Sequence, residues 1–193
     1  MAATLPIKDR EKVNELLYYL RTKSPRDALL FQTGVNTVLR IGDLLRLKVK
    51  DVYKDGKIRE YIELNEQKTG KFNRIKITKT LAPVLENYIK RYGLAEFPDY
   101  YLFFKTKHDH GRNEPITRDW ASKVLCAAAA TCGIENFNTQ SMRKTHAYHV
   151  YMATEKNIAL VQRMLNHSHP AVTLRYIGVE QSEIDAAKEI ISF

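Results

Sequence analysis

Apolar residues return every three or four positions along most of this chain, the spacing of helices with one buried face. Residues 8–22, KDREKVNELLYYLRT, place Val13, Leu16, Leu17 and Leu20 at that spacing. A second helix is predicted in SPRDALLFQTGVNTVLR, with Ser24 as N-cap and Pro25 at the first helical position. Gly34 is expected to break or bend it. IGDLLRLKVKDV then starts as a short helix and turns extended. Over residues 49–78 the period changes to two. Ile62 and Leu64 alternate with Tyr61, Glu63 and Asn65, and Ile75 and Ile77 follow. Turn signals stand at Lys54-Asp55-Gly56 and Lys68-Thr69-Gly70-Lys71, so the segment predicts a three-stranded antiparallel sheet made of two hairpins.

From Thr80 the helical period resumes. LAPVLENYIKRYG ends at Gly93, a good residue just past a helix end. LAEFPDYYLFFKTKHDHGRNEP reads as a loop. ITRDWASKVLCAAAATCGI is a helix with Thr117 as N-cap. TQSMRKTHAYHVYMAT, NIALVQRMLNH, HPAVTLRYIG and SEIDAAKEIISF are four further helical pieces. The fold class expected is α+β, mostly α-helical with one small sheet, in a single domain spanning residues 1–193.

Composition narrows the partners. The 193 residues are 44% hydrophobic, enough for a real core. Lys and Arg number 31 against 22 Asp and Glu, a formal charge of +9, which points to a polyanion and first to nucleic acid. Cys126 and Cys132 fit neither a redox pair nor a zinc knuckle and read as buried free thiols. No signal peptide and no membrane-length apolar run is present, so a soluble, cytoplasmic protein without membrane contact is expected.

One reaction would use the scattered polar residues together. A tyrosine that attacks a phosphodiester must lose a proton from a phenol whose ordinary pKa is about 10. The phosphate gathers negative charge, which arginine forks can bind, and the departing 5′-oxygen needs a proton donor. Arg40 lies in TVLRIGDLLRL, with Asp43 three residues on, where it can orient the arginine. Lys68 lies at a hairpin tip, Arg143 in TQSMRKTHAYH, His167 in LNHS, and Tyr176 nine residues later. Taken singly, each has an ordinary explanation as an ion pair, a solvated turn residue, a cap or a packed ring. The pairs His146/His149 and His167/His169 match no zinc motif, and no metal or other cofactor is expected.

In order, these segments resemble the catalytic domain of the tyrosine recombinases, the phage integrase family. TGVNTVLRIGDLLRLKVKDV looks like the segment of the first catalytic arginine, QKTGK like the hairpin of the catalytic lysine and SMRKTHAYH like the segment of the second arginine. LNHSHPAVTLRYIG looks like the final histidine and nucleophile. The resemblance implies that Arg40 and Arg143 clamp the scissile phosphate, that Lys68 protonates the leaving 5′-hydroxyl, and that His167 assists. Tyr176 would then form a 3′-phosphotyrosyl link without ATP or metal. The family usually carries histidine three residues before the second arginine. Here that residue is Gln140, whose amide can donate a hydrogen bond but cannot handle a proton.

The resemblance also implies double-stranded DNA as partner and a homotetramer on DNA, tied through the amphipathic C-terminal segment with Ile184, Ala187, Ile190 and Ile191, for which packing on its own domain is the alternative. The separate N-terminal core-binding domain of the family is expected to be absent. The reading is a site-specific recombinase serving integration or excision of a mobile element. Alternatives on the same fold are a DNA-binding regulator that has lost its chemistry at Gln140 and a type IB topoisomerase.

Overall fold

The computed structural model describes residues 4–105 and 114–178. Helix α1 (Arg10–Lys23) starts where Asp9 accepts the Glu11 N–H at 2.7 Å, and α2 (Pro25–Thr37) starts where Ser24 accepts from Asp27. Ser24 is the only residue between them, so the chain turns directly from one helix into the other. Helix α2 is buried on nearly all sides, with Leu29, Leu30, Phe31, Thr33 and Thr37 inside. It packs on α1, on α5 (Ala82–Arg91), on α6 (Arg118–Thr131) and on α7 (Thr139–Ala153). It stands at the centre of the domain, and its two buried charges, Arg26 and Asp27, pair with each other at 2.8 Å.

Gly34 does not break α2. A Cβ there would lie 2.6 Å from Met142 Sδ on α7, so glycine is present because two helices approach closely, not because the chain must bend. The segment after α2 starts as the expected short helix, but where an extended run was expected it makes a second helical turn. A short helix α3 (Ile41–Leu44) is followed by a second helical turn, α4 (Val49–Val52), whose start is held by the Asp51 carboxylate accepting the Lys48 N–H at 2.8 Å.

The expected three-stranded sheet is instead two separate two-stranded ribbons. Strands β1 (Tyr53–Lys54) and β2 (Lys57–Ile58) form one, and β3 (Tyr61–Asn65) and β4 (Phe72–Lys76) form the other. The cause is a bend in what would have been the middle strand. The chain bends at Glu60: the Arg59 N–H still reaches the Val52 carbonyl at 2.8 Å, one rung past Tyr53 and Ile58, and the Glu60 carbonyl accepts from Ile77 at 2.9 Å, one rung past Tyr61 and Lys76, so each ribbon ends at the bend. The first hairpin is a two-residue turn in which Asp55 (φ 51°) and Gly56 (φ 78°) are both left-handed, the form that matches strand twist.

The stretch expected to be a loop is pinned to the core. After a short 3₁₀ turn at Leu94–Glu96, Tyr101 bridges to Lys48 and Phe104 to Pro115, and Leu102 and Phe103 are fully buried. Beyond α7 come α8 (Ile158–Met164) and α9 (Pro170–Ile177). They enclose a smaller apolar cluster of Val38, Ala147, Val161, Leu165 and Ile177, apart from the main core. His108, His110 and the amphipathic C-terminal segment lie outside the described residues. No helix among the described residues is long and apolar enough to cross a membrane.

Candidate active site

The second apolar cluster is the platform on which the predicted site residues meet. Arg143 projects from the second turn of α7 into the interior and is 2% exposed. Its guanidinium donates from Nη1 to the Val38 carbonyl and from Nη2 to the Leu165 carbonyl at 2.8 Å. Two backbone oxygens therefore fix the fork, and the Tyr176 phenol is a further hydrogen-bond partner of the same guanidinium. Val38 closes α2 at φ 50°, a left-handed conformation that strains a β-branched residue by about 1–3 kcal/mol. That turn aims its carbonyl at Arg143.

Arg40 precedes α3, and its Nη1 pairs with Glu66 Oε2 at 2.6 Å. Asp43, predicted to orient this arginine, instead accepts the Gln67 backbone N–H at 2.8 Å and so ties α3 to the β3–β4 hairpin. Glu66 is 2% exposed. Burial opposes its charge, but hydrogen bonds from Arg40 and Thr69 and the nearby arginine charges outweigh it, and the carboxyl sits below its usual range.

His167 follows α8 through Asn166, whose φ of 55° suits an asparagine. Its backbone N–H donates to the Gln162 carbonyl oxygen at 3.1 Å, and the Gln162 amide donates back to the His167 carbonyl at 3.1 Å. Its Nδ1 meets the buried Thr173 hydroxyl at 3.1 Å. Thr173 and Tyr176, three apart on α9, share the face that looks at this imidazole. The Tyr176 ring stands edge-on to His167, with centroids 5.1 Å apart. Its hydroxyl donates to Gln140 Oε1 at 3.4 Å.

Electrostatics bind the group further. Burial pushes the Tyr176 phenol above its ordinary pKa, and Arg143 and Arg40 pull it partly back. Burial, then repulsion from Arg143 and Arg40, pushes His167 below its ordinary value, so it is neutral near pH 7. Burial also lowers the Arg143 pKa, with Tyr176 acting against that. Thus Arg40, Gln140, Arg143, His167 and Tyr176 form one cluster. Lys68 stands exposed in the hairpin turn between β3 and β4, outside that cluster among the described residues. Lys144 was not foreseen; its ammonium donates to the Thr4 carbonyl at 2.6 Å and lies 5.2 Å from the Tyr176 ring centroid. Beside His167, Lys71, Gln162, Arg163 and Asn166 line an open cleft of about 410 Å³.

Among the described residues no group of three or more His, Cys, Asp or Glu is placed to hold a metal. His146 Nδ1 bonds the Val35 carbonyl at 2.7 Å, and His149 Nε2 bonds the Ile7 carbonyl at 3.1 Å. Glu66 was also missed, although a signal for it exists: Ile62, Leu64 and Glu66 follow one inward-facing alternation. What the cluster offers is two guanidinium forks, a neutral imidazole and an amide around a phenol, an arrangement suited to a phosphate that the phenol can attack.

Comparison with known proteins places the chain in a family. The sequence model of the Phage integrase family matches residues 8–183. A "Probable integrase/recombinase" of Bacillus subtilis (strain 168) is 40% identical over 96% of this chain and 95% of its own length. A "Tyrosine recombinase" of Pseudothermotoga lettingae is 28% identical over 88% of this chain and 55% of its own length. Among solved structures, the XerA recombinase superposes with a TM-score of 0.73 at 17% identity over 100% of this chain and 66% of that one. The XerH recombinase, bound to its difH substrate after cleavage, gives 0.74 at 19% identity over 98% and 54%. The chain thus spans nearly all of the Bacillus relative but about half to two thirds of these longer ones. With the family match covering most of its length, this chain belongs to the phage integrase family, the tyrosine recombinases.

Proposed function

We propose that this chain cleaves and rejoins DNA strands at specific sites, in the integration or excision of a mobile element, through a 3′-phosphotyrosine. The Tyr176 oxygen bonds to phosphorus as the bond from phosphorus to the 5′-oxygen breaks. Arg40 and Arg143 hold the phosphate and stabilise its added charge. Lys68 gives the leaving 5′-oxygen its proton once DNA draws the hairpin tip inward. Gln140 turns its amide oxygen to the phenol and its N–H groups to the phosphate. His167, neutral, hydrogen-bonds a phosphate oxygen and, directly or through that oxygen, takes the proton that the Tyr176 phenol loses as it attacks. No metal is needed, because the cations of the chain itself neutralise the phosphate.

The observation that carries this reading is Tyr176 half-buried against Gln140 and His167, within the field of both arginines. Duplex DNA is the partner. Pairing of sites implies a homotetramer, for which the segment after Gly178 is the proposed tether. The test is a denaturing gel with nicked DNA carrying candidate attachment sites, with Tyr176→Phe beside the wild type. A covalent adduct made by the wild type alone supports the proposal. Salt-dependent binding without adduct on any site would instead favour a regulator on the same fold.

A further inference from the structure

One carboxylate touches the segments that carry three of the site residues. Glu66 Oε2 accepts from Arg40 Nη1 at 2.6 Å and from the Thr69 hydroxyl at 2.8 Å. Thr69 is the neighbour of Lys68. Glu66 Oε1 accepts from Asn73 on β4 at 3.0 Å and, more loosely, from Asn166 at 3.5 Å. Asn166 is the neighbour of His167. The Glu66 backbone closes the same turn, donating to the Lys71 carbonyl at 2.9 Å and accepting from Gly70 at 2.8 Å.

Burying a charge is costly unless it is fully hydrogen-bonded, and glutamate is rarely buried this deeply unless paired. Its pair has unequal exposure: the Arg40 side chain is 20% exposed and that of Glu66 1%. The carboxylate therefore lies behind Arg40, and the guanidinium keeps an open side for a ligand. A buried ion pair of this kind adds little net stability but fixes geometry.

We infer that Glu66 is a positioning residue for strand cleavage, setting Arg40 and the turn of Lys68 in one arrangement so that the phosphate clamp and the leaving-group donor are delivered together. The inference rests on the strand-transfer reading above. It differs from a purely structural role in what it predicts for each step. Glu66→Gln keeps the shape and one acceptor but loses the charge that holds the guanidinium. Adduct formation in a single turnover should slow by roughly 100-fold, the effect of misplacing a reacting group by about 1 Å. DNA affinity at fixed salt should be unchanged or tighter, because a negative charge beside the phosphates is gone.

The experiment uses the full chain with two readouts. The first is the single-turnover rate on a nicked duplex beside DNA affinity, normalised to folded protein. The second is the ¹⁵N-arginine side-chain spectrum, with the Arg40 Nε–H signal assigned by its loss in Arg40→Lys. Slow cleavage, retained affinity and a broadened Arg40 signal in Glu66→Gln support the inference. A wild-type rate with an unchanged Arg40 signal overturns it. If the wild type itself forms no adduct, strand transfer fails, and the arginine spectrum alone decides whether Glu66 orders Arg40. Should Glu66→Gln not fold, Thr69→Val removes one arm from the same oxygen and should slow cleavage by a smaller factor. An undiminished rate there would overturn the link to the hairpin.

Discussion

The Tyr176 hydroxyl donates to the Gln140 amide oxygen, 3.4 Å away, so the group facing the phenol orients its proton but cannot take it. A histidine in that place would add a group that titrates near neutrality. Gln140→His should therefore introduce a break near pH 6.5 in the pH profile of adduct formation, absent from the wild type. Gln140→Ala, which loses the bond to the phenol and any bond to the phosphate, should slow the reaction about tenfold, the cost of 1.4 kcal/mol in a barrier. Identical profiles for wild type and Gln140→His would show that this position does not face the transferred proton.

Gly34 and Met142 set how close α7, and with it Arg143, lies to the central helix. Gly34→Ala gains about 1 kcal/mol in helix propensity but places a methyl 2.6 Å from Met142 Sδ and 3.2 Å from Met142 Cβ. Overpacking of this kind costs about 1–3 kcal/mol. The variant should melt lower and cleave more slowly, since α7 must shift. Adding Met142→Ala should recover part of the loss, a non-additivity expected of touching residues. A more stable Gly34→Ala would mean that α7 gives way freely.

What could be read in advance divides by range. The starts of α2 and α6 were legible because Ser24, Pro25 and Thr117 act within one turn of themselves. The split of the sheet was not, because it depends on a bend at Glu60 between the two hairpins, where no glycine or proline marks a break. The order of site residues was legible, and the structure brings five of them together. The burial of Arg143 was not, since its partners Val38 and Leu165 lie 105 and 22 residues away in sequence. Glu66 shares the inward alternation of Ile62 and Leu64, but its residue type argues for solvent until Arg40 is known to lie over it.

Acid should loosen this fold from the histidines first. His146, His149 and His167 all have folded pKa values below 6.5, with burial the leading cause in each. In the unfolded chain they take protons near pH 6.5, so below that point the unfolded state binds more protons than the folded one. Their contribution is complete above the unfolded value and is lost as pH falls through the folded values. Glu66, held below 4.5, adds a second and lower window of the same sign. The melting temperature should thus fall from about pH 7.5 to about pH 5.5, and His146→Gln should flatten part of that slope. A melting temperature that is level across this range would show that these histidines do not set the acid sensitivity of the fold.

Lys68 separates chemistry from stability most cleanly. It is exposed in the hairpin turn, so Lys68→Ala should change stability by less than about 0.5 kcal/mol. If its ammonium protonates the leaving 5′-oxygen, adduct formation should fall by roughly 100- to 10,000-fold, the range for a positioned acid. Replacing that bridging oxygen by sulfur supplies a leaving group that departs without a proton. Such a strand should be cut by Lys68→Ala at close to the wild-type rate, whereas Arg143→Lys, which weakens the phosphate clamp, should gain nothing from sulfur. If sulfur rescues neither variant, the proton comes from elsewhere. Lys71 would then be the residue to change next, since it lines the cleft that also holds His167.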